Sequence, residues 1–329
     1  MNLTWESRSC PLCGSTAEGK VIVESNVELS RLTEFAFASR KLPEYMHCRM
    51  VECGACGLLY GNPAVSSESG LNAYKDAAFD SGQESEFAAQ TYAKLIAGQL
   101  NSIGSREKAL DIGAGDGAFL EQLVQLGFRD ITGVEPSAAP IACSKPEVRN
   151  LIRHDIFRAR DFAGQRFDLV TCFQIMEHLW NPGELARDVN SLLNPGGLFV
   201  TVTHNLRAFS ARLLGDKSPI FDIEHLQLFS EKTIRALLQR SGFTDIRVMR
   251  VWNRYPIHYW MKLAPLPQNL KKGLIAVAKQ GPLATVSCSL PAGNMAAVAR
   301  KAEIGALGRH HAAGVRAPAE RFDNKADSK

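Results

Sequence analysis

The run Lys108 to Leu123, KALDIGAGDGAFLEQL, constrains this chain more than any other feature. A short apolar stretch ends at Asp111, and Gly113, Gly115 and Gly117 follow at alternate positions before an amphipathic helix begins. Glycines in that pattern let the backbone turn sharply and lie flat against a ligand, which a Cβ would prevent. Beyond Gly115 the next apolar run ends at Glu135. A carboxylate at such a strand tip can accept both hydrogen bonds of a ribose diol. Strand, glycine loop, helix, strand and acid together describe a nucleoside-binding site.

Short apolar runs alternate with helical patterns from residue 106 to about 300, the signature of an α/β fold with a doubly wound, mostly parallel sheet. Seven strands are expected, at Lys108–Ile112, Ile131–Glu135, Val148–Arg153, Leu169–Phe173, Leu198–Thr203, Ile246–Val251 and Met295–Ala299. Helices are expected at Gly117–Leu126, Gly183–Leu193, Glu231–Ser241 and, as one long element, within Pro256–Lys279. A further helix, Glu84 to Ile103, leads into the sheet and stops at Gly104.

The loop alone leaves the nucleoside open, because Gly113 to Ala118 also fits the G-x-G-x-x-A dinucleotide fingerprint of a nicotinamide-dependent oxidoreductase. Asp111 argues against that reading: an acid there sits badly beside a pyrophosphate and well near the ammonium of a methionine moiety. Over roughly residues 84 to 300 the chain resembles the class I S-adenosylmethionine-dependent methyltransferases, with their Rossmann-like fold. The resemblance rests on Asp111–Gly117, Glu135, Asp155 in RHDIF, the strand FDLVTCF running into IMEHLWNP, and LLNPGGLFVTV. It implies that Asp111, Gly113, Gly115 and Gly117 meet the methionine end of the cofactor and that Glu135 binds the ribose. It further implies that Asp155 reaches the adenine amino group, that Ile156 lines the adenine face, and that Phe173 and Gln174 border the cofactor after the fourth strand.

Cys10-Pro-Leu-Cys13-Gly14 and Cys53-Gly-Ala-Cys56-Gly57 are two knuckles of one form. Two such turns aim four thiolates at one centre, a closed tetrahedral site that suits structural zinc, although iron in a rubredoxin-like site satisfies the same ligands. Between the knuckles lie 39 residues (positions 14–52). That exceeds the usual ribbon gap of about 15–20, so an inserted segment is expected. The division that follows is a zinc-ribbon-like domain over 1–65 and a linker and helix over 66–105. A cofactor-binding methyltransferase domain covers 106–301, with a helical insertion at about 255–281. A tail over 302–329 lacks apolar periodicity and is expected to be disordered.

A hydroxyl or acidic carbon acceptor must lose a proton, and histidine is the commonest side chain for that task. Three histidines follow the fourth and fifth strands, where ligands bind in open α/β sheets: His178, His204 and His225. Segments similar to Glu224-His225-Leu226 stand close to the acceptor in related enzymes, which makes His225 the leading base, ahead of His204; His178 can instead shape the loop over the cofactor. The insertion carries Tyr255, Tyr259, Trp260 and Met261, then Pro265, Pro267 and a cationic apolar helix. It could cap the acceptor site or rest on an anionic membrane surface. The resemblance points to a small-molecule or glycan acceptor, including a lipid-linked sugar or natural product. The zinc knuckles keep a second class open, a zinc-ribbon RNA methyltransferase or RNA-binding adaptor. A net charge of only +4, and few arginines interleaved with aromatics near the knuckles, argue against nucleic acid. No apolar leader is visible in MNLTWESRSC, and with paired cysteines of metal-binding form a reducing, cytoplasmic setting is expected.

Overall fold

The structure, a computed structural model, describes residues 3–33, 35–38, 44–79, 82–264, 268–278, 286–291 and 293–303. The chain starts with β1 (Trp5–Glu6), β2 (Lys20–Val23), β3 (Met50–Glu52), β4 (Leu59–Gly61) and β5 (Ala64–Val65). Two helices follow, α1 (Ser67–Lys75) and α2 (Gly82–Ala97). Ser66 caps α1 by accepting the Ser69 amide. Helix α2 buries Ala88, Ala89, Tyr92, Ala93 and Ile96 along one side and ends six residues before the expected stop at Ile103; a 3₁₀ turn over Leu100–Ser102 completes the approach to the sheet.

The α/β core then runs β6 (Lys108–Ile112), α3 (Ala118–Gln125), β7 (Asp130–Glu135), α4 (Ala138–Ala142), α5 (Pro146–Arg149) and β8 (Ile152–His154). It continues through β9 (Phe167–Phe173), α6 (Pro182–Leu192), β10 (Leu193–His204), α7 (Phe209–Leu214), β11 (Gln227–Leu228), α8 (Glu231–Arg240) and β12 (Phe243–Arg250). The last elements are β13 (Asn253–Pro256), α9 (Ile257–Leu263), α10 (Gln268–Ala278), β14 (Ser287–Leu290) and β15 (Asn294–Lys301).

Seven strands form the main sheet in the order β12-β15-β10-β9-β6-β7-β8. Neighbours from β10 to β8 pair in parallel, whereas β15 runs antiparallel to both β10 and β12. This is the doubly wound, mostly parallel architecture expected. The central strands are buried on both faces, which is why KALDI and FDLVTCF read as nearly continuous apolar runs. On one face Leu110, Val170, Cys172 and Phe199 pack with α6 and α8; on the other Ala109, Leu169, Val200 and Val202 pack with α2 and α3.

Two further expected elements differ. The segment Val148–Arg153 is not one strand: Pro146 opens the short helix α5, and only Ile152–His154 pairs with β7. Proline at a first helical position is pre-organised for helix, which overrides the apolar pattern of Val148 and Leu151. The single long helix within Pro256–Lys279 is two helices, α9 and α10, and its expected prolines, Pro265 and Pro267, lie outside the described residues. A hairpin not expected, β13 with β14, frames them. The tail from 304 onward also lies outside the described residues.

The N-terminal segment does not pack as a separate body. Its sheet has the order β11-β4-β3-β2, so its edge strand is contributed by residues 227–228. Cys10, Leu12, Cys53, Leu58 and Tyr60 belong to the same apolar cluster as Leu110, Val170 and Phe199. No helix among the described residues is long and apolar enough to cross a membrane.

Candidate active site

The loop after β6 sits at the carboxyl end of the sheet. Gly113, Gly115 and Gly117 all adopt left-handed backbone, with φ of 79°, 56° and 78°. A Cβ on Gly113 would stand 2.6 Å from the Ile175 side chain, whereas one on Gly115 would project into open space. The first glycine is therefore required by packing across the loop, and the second leaves bare backbone facing a cavity. Behind the loop, Glu135 is fully buried and accepts the Gly115 amide on Oε2 (2.9 Å) and the Ser137 amide on Oε1 (2.8 Å). Burial pushes its carboxyl up to about 7 against the pull of those two amides. Asp111, at the end of β6, is also buried; Thr171 Oγ1 donates to its Oδ1 at 2.6 Å, and burial raises it to about 7.

Two cavities meet at this loop. The larger, about 580 Å³, is lined by Asp111, Gly113, Gly115, Phe173, Gln174, His178, His204 and His225. Other parts of its wall come from the α1–α2 segment (Tyr74, Phe79, Ser85, Tyr92), from Asn253 and Asn294, from Tyr255, Tyr259 and Trp260, and from the stretch between Ser210 and Glu224. The smaller, about 260 Å³, is mainly apolar and lies between Val134, Pro136, Ile156 and Phe157 on one side and Leu71 and Trp180 on the other. Gly113, Ile175, His178, Tyr74 and Glu224 line both.

Among the described residues, Gln174 Nε2 and Asn253 Oδ1 in the larger wall are buried without a hydrogen-bond partner. Gln174 also holds left-handed backbone (φ 58°), and its backbone N–H donates to the Val202 carbonyl at 2.8 Å. Buried polar groups are normally satisfied, and exceptions concentrate where a ligand completes them.

The three histidines converge on the same cavity. The ring of His225 lies 4.9 Å from that of His178 and 4.9 Å from that of His204, centroid to centroid. His225 Nδ1 donates to the Ile220 carbonyl (2.8 Å), which fixes the neutral ring in the tautomer with its lone pair on Nε2. His204 Nδ1 donates to Asn294 Oδ1 (2.9 Å), and burial lowers its pKa to about 4. Near them Glu177 is fully buried, its Oε1 3.9 Å from His204 Nε2, and burial raises its carboxyl to about 7. His178 Nδ1 faces Glu224 Oε2 at 3.6 Å.

Most residues singled out in the sequence therefore come together, and three stand apart from the cavity surfaces. Gly117 serves as the N-cap of α3, packed on Val148 and Ile152. Glu135 stands under the loop. Asp155 is turned outward, accepting the Ile156 amide (2.7 Å) and pairing with Arg158 (3.1 Å), and both hold its carboxyl below the usual range. Sequence reasoning missed Tyr92, Asn253, Asn294 and Trp180. The first belongs to a helix read only for its apolar spacing, and the asparagines are single polar residues at strand ends with no motif around them.

The four knuckle cysteines also converge. Their sulfurs all lie within 4.8 Å of one another, with Cys10 to Cys56 at 3.5 Å and Cys13 to Cys53 at 3.6 Å. Thiolates about 2.3 Å from one tetrahedral ion stand roughly 3.8 Å apart, so the donor set fits such an ion and is far too open for disulfides. The two turns match bond for bond: Gly14 and Gly57 donate to the Cys10 and Cys53 carbonyls, both at 2.8 Å. Both glycines are left-handed, with φ of 75° and 78°.

Residues 85–248 match the methyltransferase domain family Methyltransf_23. Curated relatives include the ubiquinone biosynthesis O-methyltransferase of Methylobacterium sp. (strain 4-46), 31% identical over 113 residues that make up 32% of this chain and 45% of that protein. The enzyme of the same description from Marinobacter nauticus is 31% identical over 133 residues, 36% of this chain and 55% of that protein. The chain thus spans about half the length of the curated relatives it matches. Among solved structures, phosphoethanolamine N-methyltransferase 2 of Haemonchus contortus in complex with S-adenosyl-L-methionine aligns with a TM-score of 0.42 at 18% identity, covering 65% of this chain and 52% of that one. The YcgJ protein of Bacillus subtilis aligns with a TM-score of 0.45 at 16% identity, covering 65% and 99%.

Proposed function

We propose that this protein, whose residues 85–248 match a methyltransferase domain family and whose main sheet has the seven-stranded, mostly parallel order described above, is an S-adenosylmethionine-dependent methyltransferase acting on a hydroxyl or acidic carbon of a small-molecule or glycan acceptor. The observation that carries this reading is the pair of cavities joined at Gly113, Ile175 and His178, one apolar and the other ringed by histidines and unsatisfied amides. A ligand with a flat apolar end and a charged end fits across that junction, and a second ligand fits beside it.

When bound, S-adenosylmethionine supplies a methyl group on a sulfonium, and transfer is an in-line displacement governed by alignment. Pro136, Ile156 and Phe157 are suited to an adenine face, and Asp111 with the Gly113–Gly115 backbone to the amino-acid end. Gln174 Nε2 is the free donor at that end, with Phe173 as the floor. Glu135 has one lone pair left on each oxygen, but it is fully buried under the loop, so a ribose contact requires the Gly115 turn to move aside. For Asp155 an adenine contact requires its exposed pair with Arg158 to open, and such pairs are weak.

On the acceptor side His225 is the base, because its tautomer is set by Ile220 and it stands between the other two rings. His204, lowered to about 4, holds a proton too weakly for that task and is better suited to orient the acceptor. His178 lines both cavities and shapes their junction. The Tyr255, Tyr259 and Trp260 wall beside Asn253 and Asn294 suits a sugar, which offers an apolar face and hydroxyls together. Exposed Leu270, Leu274 and Val277 on α10 support a peripheral membrane contact for a lipid-linked acceptor. The four cysteines hold structural zinc. Burial of the knuckle in the core favours this reading over an RNA-binding module.

Calorimetry with S-adenosylhomocysteine tests the cofactor assignment, with a micromolar dissociation constant expected; heat from NADH and none from the homocysteine ligand overturns it. Transfer of a labelled methyl group into the small-molecule and glycan fractions of a cell extract, followed by mass spectrometry, identifies the acceptor.

A further inference from the structure

The knuckle is connected to the histidine cavity by one side chain. Gln227 is fully buried, and both polar atoms of its side chain are hydrogen-bonded. Its Nε2 donates to the carbonyls of Met176 (2.7 Å) and Leu179 (2.9 Å), and its Oε1 accepts from Arg8 Nη2 (3.2 Å). Its amide and that of Leu226 both approach the Glu177 carbonyl, at 3.3 and 2.8 Å.

Arg8 reaches the same loop by two further contacts. Its Nη2 donates to the Trp180 carbonyl (2.6 Å), and its guanidinium lies 4.5 Å from the centre of the Trp180 ring. Arg8 stands two residues before Cys10, the first sulfur ligand. From the second knuckle a parallel connection runs through β4, which pairs with β11 as Tyr60 with Gln227 and Leu59 with Leu228. The loop so gripped, 174–181, carries Gln174, Ile175 and His178, and His225 lies two residues ahead of Gln227. Both sides of the acceptor cavity are therefore tied to the cysteine centre, although no cysteine lines either cavity.

We propose that Gln227 and Arg8 are positioning residues through which the metal-loaded knuckle holds loop 174–181 and His225 in working register, so that metal occupancy sets the competence of the site from a distance. A structural ion would otherwise stabilise its own turns and leave the far loop unaffected. This inference rests on the metal and methyl-transfer roles proposed above, and its primary readout is independent of turnover.

Hydrogen exchange measured by mass spectrometry on the full chain, with zinc content determined in parallel, tests it. Gln227→Leu keeps the volume and removes the three side-chain bonds. Exchange across 174–181 is expected to rise at least tenfold in this variant while β6 and β7 keep their protection and zinc stays at one per chain. Chelation of the wild type is expected to loosen the same loop. Arg8→Ala, which spares all four cysteines, is expected to loosen it too, and Arg8→Lys to restore part of the protection. Turnover at saturating S-adenosylmethionine should fall at least tenfold in Gln227→Leu. Protection of 174–181 unchanged in both Gln227→Leu and Arg8→Ala overturns the proposal, as does chelation that frees only residues 8–61. A wild type with no methyl transfer but with the expected exchange pattern defeats the functional reading and leaves the coupling standing.

Discussion

The imidazoles of His204 and His225 face one another with ring centroids 4.9 Å apart, yet their second nitrogens are anchored to different elements. His204 is held by Asn294 at the start of β15, and His225 by the Ile220 carbonyl in the segment between α7 and β11. Two rings in one cavity are thus fixed independently, and each can be removed without releasing the other.

His225→Ala is expected to lower turnover by about 10²–10⁴, the usual worth of a positioned acid–base group. S-adenosylhomocysteine affinity should stay within about threefold, since the role proposed for the ring is on the acceptor and not on the cofactor. His204→Ala should raise the acceptor KM more than it lowers kcat. Labelled methyl transfer with the acceptor fraction checks both, and an unaltered rate in His225→Ala removes it as the base.

Asn253→Leu removes a buried side-chain carbonyl that has no partner among the described residues. Its thermal midpoint should be unchanged or higher, because an unsatisfied buried oxygen is destabilising by about 1–3 kcal/mol. Acceptor KM should rise at least tenfold. A variant as good at methyl transfer as the wild type shows that this oxygen does not meet the acceptor.

Glu135→Ala leaves the Gly115 and Ser137 amides without their acceptor. Cofactor affinity is expected to fall at least tenfold, and stability by about 1–3 kcal/mol for each buried donor left unpaired. Calorimetry and thermal denaturation separate the two losses. Unchanged affinity ends the ribose role.

Asp111, Glu135 and Glu177 are all raised by burial to about 7. The folded protein therefore binds more protons than the unfolded chain at intermediate pH. Their contribution to stability is complete below about pH 4, declines as pH rises, and is lost above about 7. A cationic ligand beside Asp111 favours the ionised carboxylate, so S-adenosylhomocysteine should bind more tightly between pH 6 and 8 and release a fraction of a proton. Titrations in buffers of different ionisation enthalpy measure this release. Asp111→Asn should reduce it.

Cys13→Ser should remove zinc, counted by metal analysis. Because the knuckle shares its core with the main sheet, the variant should melt in one transition at lower temperature. Two transitions, with the second at the wild-type temperature, contradict that shared core.

The glycine loop and the cysteine turns were legible because the backbone there demands particular residues: left-handed φ at Gly113, Gly115, Gly14 and Gly57 leaves a trace in sequence. The strand pattern was legible for the same kind of reason, since double burial enforces apolar runs in β6, β9 and β10. What was not legible depends on pairing. A two-residue strand such as Gln227–Leu228 has no periodicity, so nothing announced that it would complete the N-terminal sheet. Pro146 was the local sign that Val148 belongs to a helix, and the apolar spacing concealed it. The inward bracing by Glu135 and the outward turn of Asp155 follow from backbone amides and from Arg158, which no motif encodes.

Strand β15 is inserted between β10 and β12, and within the main sheet β12 has no other neighbour. While the chain emerges from the ribosome, β12 must wait for residues 294–301 before it can join the sheet, and Asn294 arrives with them to fix His204. The pocket therefore assembles in reverse order of synthesis at its final wall. A nascent chain halted before Asn294 would carry the glycine loop and every histidine of the cavity, yet would lack both a closed sheet and a settled place for the acceptor.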